Sequence, residues 1–221
     1  MKKLFAMLLA LVMALSLVAC GEQGGEQGGD APQGGGASSG DKIIKIGVFE
    51  PQSGDNGAGG KQEILGMQYA NKMFPTVTVG GEEYQVELVY ADNASSNDKA
   101  PTAAQTLISQ GVSVVLGSYG SGVSIAAGDT FSAAQVPAIG VTCTNPNVTA
   151  GNDYYFRICF LDPFQGTVLA NFSMDKFQAK TAYCLGEAGN EYDQGLIAFF
   201  KTAFEAAGGK VITDSFPTNN S

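Results

Sequence analysis

The chain has 221 residues, a formal net charge of −9 and 44 % hydrophobic residues, enough for one ordinary domain or two small ones. An acidic balance gives no means of displacing phosphate counterions, which argues against a nucleic-acid partner, and equally against a polybasic membrane patch. With no His and no Trp, a Ser-His-Asp or Cys-His nucleophile system is excluded, as are His-based metal sites; Cys20, Cys143, Cys159 and Cys184 form no CxxC pair and are not spaced as zinc ligands.

The first segment has a positive start at Lys2 and Lys3, an apolar run from Leu4 to Val18, and small residues leading to Cys20 and Gly21. This order is a secretory signal pattern over residues 1–19. The run falls short of the roughly 20 residues that cross a bilayer. Leu17-Val18-Ala19-Cys20 resembles a bacterial lipobox, which implies that Cys20 becomes a lipid-bearing N-terminus. Losing Lys2 and Lys3 takes the net charge from −9 to −11. Residues 20–40 are Gly-rich and carry no aromatic residue. They cannot bury enough apolar surface to offset ordering entropy and are expected to form a flexible leash, about 25 Å in root-mean-square length.

From Ile43 the pattern changes. Ile43 to Phe49 is a β-branched run that reads as a buried strand. Lys61 to Phe74 has apolar residues at helical spacing, and Tyr84 to Tyr90 reads as a strand after a Gly80-Gly81 turn. Lys99 to Gln110 reads as a helix capped by Asn97 or Asp98. Val112 to Leu116 is a strand, Ser121 to Gln135 a helix and Pro137 to Val141 a strand. Asp162-Pro163 reads as cap and first turn of a helix over Phe164 to Phe177. Thr181 to Leu185, Tyr192 to Ala207 and Lys210 to Ser215 follow as strand, helix and strand, with Gly208-Gly209 as a stop.

This alternation predicts an α/β fold with parallel sheets flanked by helices on both faces. Ligands of such sheets lie beyond the carboxyl ends of the strands. The rule singles out the loops Glu50–Gly60, Asp92–Asp98, Ser118–Ser121 and Thr142–Pro146, whose residues are mostly small and polar.

Two motifs fail on inspection. Gly57-Ala58-Gly59-Gly60-Lys61-Gln62 is not a phosphate loop, because Asp55 stands where Gly is needed and Gln62 replaces Ser/Thr. Gly122-Val123-Ser124 lacks the second Gly of a nucleophile elbow and has no His to activate the serine. Asp153, Asp162 and Glu187 read as caps and surface charges rather than a carboxylate pair.

At Gly117-Ser118-Tyr119-Gly120-Ser121-Gly122 and Thr142-Cys143-Thr144-Asn145-Pro146 the chain resembles the extracytoplasmic solute-binding proteins of branched-chain amino-acid ABC transporters, the leucine/isoleucine/valine-binding family. Further matching pieces are Ile46-Gly47-Val48, Tyr154-Tyr155-Phe156-Arg157, Asp162-Pro163-Phe164-Gln165-Gly166 and Tyr192-Asp193-Gln194-Gly195. The resemblance implies two Rossmann-like lobes of the type I periplasmic binding fold, hinged around a ligand. The first lobe would span residues 43–160 and a partial second lobe 161–221, with the chain stopping inside it. It implies an amino-acid ligand, an ABC transporter permease as partner, no cofactor and no catalysis. It also implies that Ser121 binds the ligand carboxylate, Thr144 contacts the ligand through its side chain, the Thr142 carbonyl faces the ammonium, and Tyr192 closes over the ligand. From the residues alone, Ser121 as a helix cap and Thr144-Asn145-Pro146 as a turn stay open.

There are departures from the family pattern. Gly59 stands where an aromatic residue is frequent. Glu50 stands where small or apolar residues are common, and could accept a cationic ligand or cap a loop. A Cys pair bridged in some members matches Ser95 and Gly120. Cys143, Cys159 and Cys184 are then free thiols or include a Cys143–Cys159 bridge. A ligand-sensing receptor module of the same fold, for an amide, urea or other small polar ligand, is the alternative function.

Overall fold

A computed structural model describes residues 42–218. The signal segment 1–19, Cys20 and the linker 20–40 lie outside the described residues. Three strands expected from β-branched runs form the centre of a six-stranded sheet: β1 (Ile43–Glu50), β3 (Glu82–Asp92) and β4 (Val114–Leu116). β5 (Ala138–Gly140) and β6 (Tyr155–Arg157) extend it on one side, and β2 (Thr76–Val79) on the other. The strand order is β2-β3-β1-β4-β5-β6. All pairings are parallel except the β2–β3 hairpin. β1 is therefore the point where the chain order reverses, with β3 on one flank and β4 on the other.

Helices cover both faces. α1 (Gly57–Met73) packs Ile64 and Met67 against Val48 on one face. α2 (Ala100–Ser109) and α3 (Ser121–Ala133) cover the other through Ala104, Leu107, Ala127 and Phe131. Phe131 is fully buried and meets Phe49 edge-on at 5.4 Å between ring centroids and Tyr155 at 6.3 Å. Its apolar area supplies much of the drive for this face.

After β6 the chain enters α4 (Asp162–Phe177), β7 (Thr181–Glu187), α5 (Glu191–Ala206) and β8 (Lys210–Phe216). β7 and β8 form a separate parallel pair. Ala170, Phe204 and Val211 make its core, with Phe200 stacked on Phe204 at 5.3 Å. Gly166 lets α4 approach α5 closely, since a Cβ there would stand 2.7 Å from the Phe200 backbone nitrogen.

Several local readings are corrected. α1 starts at Gly57, four residues before Lys61. Its glycines look like loop in the sequence, but Gly60 is pressed against Pro51 so closely that a Cβ would stand 2.1 Å from the Pro51 carbonyl oxygen. Neither Asn97 nor Asp98 caps α2, which follows Lys99 without a side-chain cap; the Ser96 carbonyl takes the N–H groups of Lys99 and Ala100 instead. Asp162 is the first residue of α4 rather than its cap, because the Leu161 carbonyl accepts from Phe164 and Gln165. β2, a Thr-Val-Thr-Val alternation, and β6 are only four and three residues long, shorter than the runs that read as strands in the sequence.

Candidate functional site

The loops at the carboxyl ends of β1, β3, β4 and β5 converge on a cleft of about 930 Å³. Its opposite wall comes from the segment before α4 and the first turn of α4, through Phe160 and Gln165, and from the end of β7, the β7–α5 loop and the first turn of α5, through Glu187, Asn190 and Tyr192. Ser121, Thr142, Thr144 and Tyr192 all line this one cleft, although 71 positions separate the first from the last.

Each loop is held by its own polar ties. After β1, Asp92 accepts from the N–H groups of Gln52 (2.8 Å) and Ser53 (3.3 Å) and from Ser53 Oγ (2.6 Å). Burial pushes the Asp92 carboxyl up, but these bonds together hold it below the usual aspartate range. Buried Asn93 donates to Ser118 Oγ at 2.9 Å, tying the β3 loop to the β4 loop. Gly117 closes β4 with φ +123°, and a Cβ there would stand 2.1 Å from the Phe49 carbonyl oxygen. Only glycine fits that conformation and that approach.

Ser121 opens α3 and is 2 % exposed. Gly120, in extended backbone before it, offers no side-chain cap. The first N–H groups of a helix have no intrahelical acceptor, so the start of α3 presents donors and the positive end of its dipole to the cleft. Ser121 Oγ accepts from the Asn145 N–H at 3.3 Å, and its own proton remains to be donated. Thr144 is buried, and its Oγ1 has no hydrogen-bond partner among the described residues. An unpaired buried hydroxyl is costly, and a ligand oxygen in the cleft would relieve it.

Behind Thr144, Asp162 is fully buried and neither carboxyl oxygen has a partner among the described residues. Burial is the largest influence and pushes this carboxyl up, while the Arg157 guanidinium draws it down. Arg157 spends its donors on the carbonyls of Cys143 (2.9 Å), Asn145 (2.8 Å) and Pro146 (3.2 Å) and on Thr149 Oγ1 (2.7 Å). It thereby fixes the loop that carries Thr142 and Thr144. Asn145 Nδ2 reaches the Glu191 carbonyl at 2.9 Å and joins this loop to the start of α5.

Tyr192 sits in the first turn of α5, and Gln165 Nε2 donates to its hydroxyl at 3.0 Å. Asn190 caps the helix through Oδ1, which accepts from the N–H of Tyr192 (3.0 Å) and Asp193 (3.2 Å). Asn190 and Gln165 were missed as cleft residues; an Asn before an apolar helix was the available signal for the first.

The two departures acquire a structural meaning. Gly59 faces the Tyr119 ring, which would stand 2.5 Å from a Cβ. An aromatic from the β4 loop thus fills the space next to Gly59 and lines the cleft. Glu50 is fully buried and does not reach the cleft lining. Its Oε2 accepts the Tyr119 N–H at 2.8 Å, so of the two roles open to it, it takes that of a loop cap. Cys143, Cys159 and Cys184 are free thiols, and burial pushes Cys143 up to about 11.

A parallel sheet flanked by helices, with a cleft at the carboxyl ends of its strands faced by a second α/β piece, defines the type I periplasmic binding fold. Residues 43–221 match the periplasmic binding protein family, and the chain belongs to it. The family's place of work is outside the cytoplasm. A Leu/Ile/Val-binding protein homolog of Brucella melitensis is 30 % identical over 176 residues, 79 % of this chain and 47 % of that protein. An amino acid binding protein of Pseudomonas aeruginosa is 31 % identical over 156 residues, 69 % of this chain and 41 % of that protein. Among solved structures, the leucine binding protein LivK of Thermotoga maritima superposes with a TM-score of 0.76 at 32 % identity, over 80 % of this chain and 50 % of that one. LivJ of Streptococcus pneumoniae, in complex with isoleucine, gives 0.71 at 30 % identity, over 81 % and 51 %. The chain thus spans about half the length of these relatives.

Proposed function

We propose that this chain is the ligand-gripping part of a solute-binding lipoprotein that captures an amino acid, of branched-chain or related type, and delivers it to an ABC transporter permease. The observation that carries the reading is the convergence of Ser121, Thr142, Thr144 and Tyr192 on one cleft, with the Thr144 hydroxyl buried and unpartnered. In this reading the ligand carboxylate lies at the start of α3, on Ser121 Oγ–H, the Thr144 hydroxyl and the first N–H groups of the helix. The ammonium faces the Thr142 carbonyl, and Tyr192 covers the ligand from the other wall. Residues 43–160 and 161–221 act as two lobes that close on it.

The signal pattern of residues 1–19 and the lipobox supply the location: export, then lipid on Cys20, then a leash over residues 20–40. The chemistry in this reading is binding without turnover, in keeping with a periplasmic binding protein. A sensor module of the same fold would use the same contacts and differ in its partner.

Calorimetry of the complete gene product against the twenty amino acids tests the reading. Saturable heat with an aliphatic amino acid, and recovery of the ligand unchanged, is the expected result. Heat with none of the twenty, combined with turnover of any substrate, would sink it. Two solute-binding neighbours from Rhodopseudomonas palustris, at 26 and 24 % identity, were solved with 4-hydroxybenzoate and benzoate, so these acids serve as the competing arm of the panel.

A further inference from the structure

Two acids outside the ligand contacts form a unit behind the cleft. Glu50 ends β1 and is fully buried; Glu63 lies in α1. Glu50 Oε2 accepts the Tyr119 N–H at 2.8 Å, and Glu63 Oε1 accepts the Thr142 hydroxyl at 2.5 Å. The remaining oxygens, Glu50 Oε1 and Glu63 Oε2, are buried and have no hydrogen-bond partner among the described residues. Thr142 Oγ1 also reaches the Tyr119 carbonyl at 3.3 Å, so the two acids hold adjoining points of one wall, and the Glu63 side chain acts directly on Glu50. Two ionised carboxylates have only acceptors, so a bond between them requires a proton.

Among the described residues, the charged neighbour acting on Glu50 is Glu63, which repels its charge rather than neutralising it. The β4 loop presents the Tyr119 N–H, and β6 presents the Tyr155 hydroxyl, itself bonded to the Gly117 carbonyl at 2.9 Å. Beyond β6 lies the Cys159 thiol, and beyond β5 the Thr142 hydroxyl. None of these is a cation, and Glu63 is the charged group that acts on Glu50.

We propose that Glu50 and Glu63 share one proton, as a carboxylic acid–carboxylate pair, and that this pair is the positioning unit that holds Tyr119 and Thr142 in the cleft wall. The proton sits on Glu50 and is donated to Glu63, whose charge draws in the Thr142 hydroxyl. Burial and the adjacent Glu63 raise the Glu50 carboxyl to about 10, consistent with a proton kept at neutral pH. The pair leaves one negative charge behind Thr142, on the side where the proposed function, on which this inference rests, puts the ligand ammonium.

Glutamine at position 50 imitates the protonated acid, because its amide oxygen can accept from Tyr119 and its NH₂ can donate to Glu63. Infrared spectra of the complete gene product, with ¹³C-glutamate labelling, are read at neutral pH without ligand. The wild type is expected to show the C=O stretch of a protonated carboxyl group that disappears in E50Q. Absence of that band in the wild type, or its survival in E50Q, overturns the shared proton. Calorimetry with the best amino acid of the panel reads the positioning. E50Q is expected to stay within about twofold of wild type, whereas E63Q, which loses the charge and one of the two acceptor oxygens, weakens binding by about tenfold or more. Equal losses in E50Q and E63Q overturn the assignment. If no amino acid binds at all, the functional reading falls by itself, and the infrared result still decides whether the proton is shared.

Discussion

Replacing Glu50 by Gln should change how folding stability depends on pH. In the folded chain the Glu50 carboxyl is raised from 4.5 to about 10, first by burial and then by Glu63. In the unfolded chain it returns to an ordinary glutamate value near 4.3. Between those values the folded state holds one proton more than the unfolded state. Stability from this group is therefore complete below about pH 4.3 and is lost as pH rises toward 10. The limiting slope is about 1.4 kcal/mol per pH unit, so the group alone would cost the wild type up to roughly 3 kcal/mol between pH 6 and pH 8. Glutamine carries no such slope. Other titrating groups act alike on both proteins and largely cancel in the difference. Urea unfolding of wild type and E50Q at pH 5.5, 6.5, 7.5 and 8.5 should show the variant gaining on the wild type at every step. Parallel stability curves would mean that Glu50 is ionised in the folded state and that no proton is held there.

Other expectations concern the frame and the cleft. Phe131→Ala removes a fully buried ring between Phe49 and Tyr155 and should cost about 3–5 kcal/mol in chemical denaturation. Gly117→Ala puts a methyl group against the Phe49 carbonyl in left-handed backbone; thermal melting should show a clear loss of Tm, with ligand binding abolished. Ser121→Ala should weaken amino-acid binding by about 1–3 kcal/mol through a lost hydrogen bond to a charged group, and unchanged affinity would remove Ser121 from the site. Cys20→Ala should abolish incorporation of labelled fatty acid in the producing cell, while an equally labelled variant would place the anchor elsewhere.

Periodicity made the long elements legible. Ile43–Glu50 and Glu191–Ala206 carry their own patterns of burial, and the strand–helix alternation led to a parallel sheet and the correct rim of loops. What stayed hidden was tertiary. The glycines that begin α1 look like loop until Pro51 and Tyr119 are seen packed against them. β6 is only three residues long, and it is its pairing beside β5 that makes it a strand. Asp162 reads as a cap in sequence, yet the Leu161 carbonyl does that work and the carboxyl turns inward. The Glu50–Glu63 pair spans two elements and a chain separation that no local pattern reveals.

A crystal structure of the complete gene product with bound leucine reads directly where the amino-acid carboxylate lies. The carboxylate is predicted at the start of α3, hydrogen-bonded to Ser121 Oγ and the Thr144 hydroxyl, with the ammonium toward the Thr142 carbonyl. A ligand seated in the reverse orientation, or outside the cleft between Ser121 and Tyr192, would contradict it.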